Sequence, residues 1–94
     1  MPIDISQEAL EEIAVIQRYL LASFGEKICN DIIDKIYKDI YLLEENPYFG
    51  RQVMHGVRKF NSGLSIIIYE IKNQRIEIHH VVDGRSDYAN TLFT

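Results

Sequence analysis

The run Ser65-Ile66-Ile67-Ile68-Tyr69-Glu70-Ile71 constrains the fold more than any other part of the chain. It is short and rich in β-branched residues, which favours a strand over a helix. Successive strand residues point to opposite sides, and here Ile66/Ile68 and Ile67/Tyr69/Ile71 make both sides apolar. Such a strand is buried on both sides. It needs two covers, and the rest of the sequence supplies neighbours for it. Arg75 to Val82 begins as polar/apolar alternation and then turns apolar on both parities. Lys72-Asn73-Gln74 between the two runs suits a hairpin turn. Val57-Arg58-Lys59-Phe60 reads as a preceding strand, joined through the turn residues Asn61-Ser62-Gly63. These three strands form an antiparallel meander over 56–82.

The first half has a different periodicity. Ile3-Asp4-Ile5 alternates as a short strand, and Ser6 stands where a helix N-cap belongs, with Glu8 in the first turn. A helix is predicted over 7–24, with Ala9, Leu10, Ile13, Ile16, Gln17, Leu20 and Phe24 on its apolar stripe. Gly25 ends it in a left-handed conformation. A second helix is predicted over 26–45, burying Ile28, Ile32, Ile36, Ile40 and Leu43. Tyr37 and Tyr41 lie at the edge of that stripe, and Asp31/Lys35 and Asp34/Lys38 form i,i+4 pairs on the solvated side. Asn46-Pro47 stops the second helix, because the residue before proline is pushed out of the helical region.

The expected architecture is α+β in the order β-α-α-β-β-β. A strand over 1–5 precedes a helical hairpin over 6–45, the meander over 56–82 and a tail over 83–94. The antiparallel hairpin packs on one face of a small, mainly antiparallel sheet. The second face is left to the tail, a second copy or a partner.

Length and composition narrow the class. Ninety-four residues make one domain, and 47% hydrophobic content is ordinary for a globular chain. One cysteine excludes an intrachain disulfide and fits a reducing compartment. The start does not resemble a signal peptide, and no apolar run approaches the roughly 18 residues of a membrane span, so a cytoplasmic protein is expected. The first fifty residues carry ten Asp/Glu against four Lys/Arg, and the remainder carry four against six. A net charge of −4 argues against a protein that lives on a phosphate backbone.

The candidate chemistry is sparse. Adjacent His79 and His80 point to opposite faces and so do not chelate one ion together, and no metal-ligand spacing is recognisable. No metal and no cofactor are expected. Cys29 sits among isoleucines and reads as a small inert hydrophobe. Arg58, Lys59, His79, His80, Arg85 and Tyr88 contain the residue types of a metal-free ribonuclease, but at so thin a density that a solvated basic rim is the better reading. Val15, Tyr19 and Ala22 put apolar groups on the polar side of the first helix, either as a contact patch or as ordinary exposure.

Four motifs fall in a telling order. Glu45-Asn46-Pro47-Tyr48-Phe49-Gly50 closes the second helix, and Gly56-Val57-Arg58-Lys59-Phe60 opens a strand. Ser62-Gly63 leads into Ile66-Ile67-Ile68-Tyr69, and Asp83-Gly84-Arg85-Ser86-Asp87 precedes the apolar pair Leu92-Phe93. Their order and spacing resemble the toxins of the RelE/ParE superfamily, found in bacterial type II toxin–antitoxin pairs, and within it the ParE branch. The resemblance covers almost the whole chain. It implies a cognate antitoxin whose C-terminal segment wraps the toxin, and inhibition of DNA gyrase by trapping it on cleaved DNA. Blocked replication and plasmid stabilisation follow, with no catalytic residue in the toxin itself. On that reading the target-binding candidates are Arg58, Lys59, Arg85, Asp87 and Tyr88. The antitoxin-binding candidates are Val15, Tyr19, Ile67, Tyr69, Ile71, Leu92 and Phe93. The RelE branch, which cleaves mRNA on the ribosome, is the alternative, with Arg58, His80, Arg85 and Tyr88 as its residues. Asn61 stands where a catalytic arginine of that branch is expected, and Asp83 where many relatives carry histidine. A homologue that only binds antitoxin is the third reading.

Overall fold

The computed structural model describes residues 1–84. The expectations placed on Arg85, Asp87, Tyr88, Leu92 and Phe93 lie outside the described residues. The elements run β1 (Ile3–Ile5), α1 (Gln7–Phe24), α2 (Glu26–Glu45), β2 (Arg51–Met54), β3 (Val57–Ser62), β4 (Ser65–Lys72) and β5 (Arg75–Asp83). The sheet has five strands in the order β1-β5-β4-β3-β2. β1 runs parallel to β5, and the other pairs are antiparallel. Both helices cover one face, so the expected α+β architecture holds, with one strand more than the sequence suggested.

That additional strand is β2. Its residues Arg51-Gln52-Val53-Met54 carry no alternation, and only Val53 is even half-buried. An edge strand of this kind is held by the ladder to β3 and not by a pattern of its own.

The helix boundaries agree with the sequence because their caps are local. Ser6 Oγ accepts from the Ala9 amide at 3.0 Å and donates to the His79 carbonyl at 3.0 Å, so one hydroxyl caps α1 and ties it to β5. Gly25 is the whole link between the helices. Its amide donates to Leu21 and its carbonyl accepts from Cys29, closing one helix and opening the next. It does so at φ 89 and ψ 177, an extended glycine conformation and not the left-handed helical one expected.

The buried stripe of α2 is rotated from the expected one. Cys29 and Ile33 are buried, whereas Ile28 is exposed and Ile32 half-buried; Ile36, Ile40 and Leu43 are buried as expected. On α1, Ala9, Ile13 and Leu20 are buried, while Leu10, Gln17 and Phe24 are exposed. The buried stripe of α1 is therefore narrower than the apolar spacing predicts. Tyr37 packs against the core, but Tyr41 is exposed. The surface ion pairs also differ: Lys27 binds Asp31 and Lys35 binds Asp39, each at 3.0 Å.

Strand β4 is buried on both sides. Ile67 and Tyr69 join Ile76, Ile78 and Val81 in the main core under the helices. Ile68 and Val82 form a second cluster on the outer face, with Val57 and Ile66 half-buried against them. Ile68 is 2% and Val82 6% exposed in the single chain, so this pair is buried without a second copy or a partner. In β5 the period breaks. Tyr69 pairs with Ile78 but Ile68 pairs with His80, so one extra residue, His79, stands in the ladder. This bulge lets Ile78 and Val81, three apart, both face the main core, and it explains why the sequence of β5 turns apolar on both parities.

Candidate functional site

The most conspicuous motifs meet at one place. The register of β3 and β4 puts Arg58 directly opposite Tyr69 on the helix side of the sheet. Tyr69 is fully buried, and its hydroxyl donates to the Pro47 carbonyl at 2.7 Å and accepts from the Gly50 amide at 2.9 Å. Arg58 donates to the Gly50 carbonyl at 2.7 Å and the Tyr48 carbonyl at 3.4 Å, and its guanidinium lies over the Tyr48 ring at 5.0 Å. Two side chains thus hold the turn between α2 and β2. Burial raises the pKa of the Tyr69 phenol, with the Gly50 amide and the Arg58 charge pulling part of the way back. The phenol therefore stays protonated at neutral pH and keeps its bond to Pro47. Gly50 is required here for closeness: a Cβ would lie 2.5 Å from the Tyr69 oxygen and 2.9 Å from the Lys59 carbonyl.

This clamp reassigns several sequence candidates. Arg58 faces the turn and not an open surface. Ile67 and Tyr69 lie in the core at 0% exposure, and Ile71 is half-buried against the same core. Lys59 points to the outer face, where its partner across the ladder is the exposed Arg51.

The histidines reach separate partners. His79 Nε2 lies 3.0 Å from Glu70 Oε1 and 3.8 Å from Glu77 Oε2. His80 Nδ1 faces α1, 3.3 Å from Glu12 Oε1 and 3.7 Å from Glu8 Oε1. Glu12 Oε1 also accepts from the Val81 amide at 3.2 Å, which fastens α1 to the β5 edge beyond the reach of short β1. The two rings diverge as alternation predicts, but the bulge and not the strand period directs them.

A groove of about 390 Å³ lies between the helical hairpin and the β3–β4 turn. Ile16, Tyr19 and Leu20 of α1 and Ile32 of α2 line one wall, and Leu64 and Ser65 the other. Lys35 and Asp31 stand on its rim. The Ser62 hydroxyl, which also lines it, is buried without a hydrogen-bond partner among the described residues. Tyr19 at 53% and Leu64 at 66% exposure carry the apolar lining outward, and Val15, one helical turn before Tyr19, is 55% exposed. Val15 and Tyr19 were legible as a patch on α1. Leu64 was not, because a single leucine in a Ser-Gly turn has no periodic context. No described helix is long and apolar enough to cross a membrane.

The family model of the ParE toxin of the type II toxin–antitoxin system parDE matches residues 3–88. Among solved structures, the chromosomal ParDE toxin–antitoxin system from P. aeruginosa is similar in fold. It has a TM-score of 0.77 at 17% identity, covering 88% of this chain and 95% of that one. No curated protein is a significant match.

Proposed function

This chain belongs to the ParE toxin family of type II toxin–antitoxin systems, and on that premise we propose that it is a cytoplasmic bacterial toxin that inhibits DNA gyrase and is silenced by a cognate antitoxin. The match over 3–88 carries the reading, because it spans every element of the described fold. The groove gives the antitoxin a seat. Its walls are apolar, its rim is charged, and exposed Val15, Tyr19 and Leu64 prolong it, which suits an amphipathic helix laid in a groove. The ribonuclease alternative is disfavoured by position. Arg58 holds the Gly50 carbonyl while His80 faces Glu8 and Glu12 on α1, so these two do not converge on one reacting phosphate.

Purified chain is expected to block gyrase supercoiling and to accumulate cleaved DNA, with relief on adding the antitoxin. Normal supercoiling at excess chain refutes the gyrase assignment, and codon-positioned cuts in a translating extract that vanish in Arg85→Ala would replace it with the ribosomal one. For the antitoxin seat, Leu64→Asp changes an exposed side chain. It is expected to leave stability within about 0.5 kcal/mol and to weaken antitoxin binding about tenfold or more.

A further inference from the structure

We propose that Glu70, Glu77 and His79 form a binding site for one divalent transition-metal ion, with zinc as the best-fitting ion, on the outer face of the sheet. This assignment stands apart from the toxin reading and uses none of its residues.

Glu70 of β4 is directly opposite Glu77 of β5. Like charges at directly opposed positions of an antiparallel pair destabilise it, because the Cβ atoms are only about 4.5–5.5 Å apart. The sheet nonetheless places its extra residue beside this pair, and that residue is His79. Its Nε2 lies 3.0 Å from Glu70 Oε1 and 3.8 Å from Glu77 Oε2, and the three donor atoms all lie within 4.8 Å of one another. Donors on one zinc at bond lengths of about 2.0–2.2 Å stand about 3.4 Å apart in a tetrahedral shell. The two observed separations bracket that value, so rotation of half-exposed glutamates suffices to close the shell.

The donor set selects the ion. Two carboxylates and a neutral imidazole suit zinc and its first-row neighbours. They fall well short of the six to eight oxygens calcium takes. A divalent ion cancels the two carboxylate charges that the ladder sets against each other. The side chains of His79, Glu70 and Glu77 are 37%, 29% and 42% exposed, which leaves a fourth position open to water or to a donor from outside. The second triad, Glu8, Glu12 and His80, is geometrically comparable. There, however, Glu12 Oε1 is bonded to the Val81 amide and already has a structural role.

The test is a thermal and spectroscopic titration of the full chain with zinc and with cobalt(II). One ion per chain is expected to bind, zinc to raise Tm by about 5 °C or more at saturation, and cobalt(II) to give the visible bands of a four-coordinate site. Glu77→Gln removes the like-charge opposition, so its metal-free Tm is expected at or above that of the parent while its zinc response is lost. His79→Asn is expected to lose the response, and Glu8→Gln to keep it. The proposal is overturned if the parent shows no zinc-dependent shift, if the shift survives Glu77→Gln, or if Glu8→Gln abolishes it.

Discussion

Replacing Gly50 by alanine probes the clamp that joins the helical layer to the sheet. The added methyl would sit 2.5 Å from the Tyr69 oxygen, 2.7 Å from its Cε1 and 2.9 Å from the Lys59 carbonyl. The last is backbone in β3 and the first two belong to a fully buried ring, so no neighbour gives way freely. Overpacking of this kind costs about 1–3 kcal/mol. Moving the phenol also strains its bonds to Gly50 and Pro47, and a buried polar group left unpaired adds about 1–3 kcal/mol. A total near 3 kcal/mol is a large share of the roughly 5–15 kcal/mol that holds a domain folded. At about 4–8 °C per kcal/mol for a chain of this size, Tm should fall by roughly 12–24 °C. Tyr69→Phe keeps the ring and loses only the hydroxyl, and should cost about 2 kcal/mol. The double variant separates clash from lost hydrogen bonds. Without the hydroxyl the 2.5 Å contact is gone, so the two costs should sum to at least 1 kcal/mol more than the double variant loses. Urea unfolding followed by far-UV circular dichroism measures all three. A Gly50→Ala cost below about 0.5 kcal/mol, or strict additivity, refutes the clamp as the reason for glycine at this position.

Tyr69 also sets an alkaline limit. Its folded pKa is raised by burial, so its contribution is fully present below the unfolded value of about 10 and is lost as pH climbs to the folded value. Denaturation midpoints measured from pH 8 to 11 should fall in the parent and fall less steeply in Tyr69→Phe. In the β4–β5 turn Asn73 and Gln74 have φ of 52 and 61, and glutamine is poorly suited to that region. Gln74→Gly should raise stability by about 0.5–1 kcal/mol in the same urea titration, and a loss would mean that the Gln74 side chain has a role the backbone does not reveal. Cys29 is 1% exposed, its thiol donating to the Gln17 carbonyl at 3.4 Å, so thiol reagents should label it only in denaturant.

Much of the fold was legible because its determinants are local. Ser6, Gly25 and Asn46-Pro47 set the helix limits through one or two hydrogen bonds each, and both helices begin and end where those residues say. What escaped was set by distant partners. β2 exists because β3 offers it a ladder. The buried side of α2 is set by its packing on α1 and the sheet, and the bulge at His79 by the pairing of β5 with β4. The site was less legible for the same reason. Val15 and Tyr19 lie on one helix and could be grouped from spacing, but Leu64 and Lys35 join them only in the folded chain. Glu70 and Glu77 likewise become neighbours only when the β4–β5 hairpin closes.

The motifs behind the family resemblance have a physical unity that bears on function. Pro47, Tyr48 and Gly50 from the first, Arg58 from the second and Tyr69 from the third all converge on the clamp, with four hydrogen bonds among them. Each residue type follows from that geometry: proline to end the helix, glycine for close approach, arginine to reach two carbonyls, tyrosine to donate and accept at once. A signature built on these positions reports how the hairpin is fastened to the sheet, a need independent of the target. In this chain it marks the scaffold. The clamp leaves two other surfaces free, the hairpin groove and the outer-face cations Lys59 and Arg51, and we propose that target choice resides there. Charge reversal at Lys59 and Arg51 should therefore change target inhibition while leaving the urea midpoint within error, whereas Arg58→Ala should lower both together.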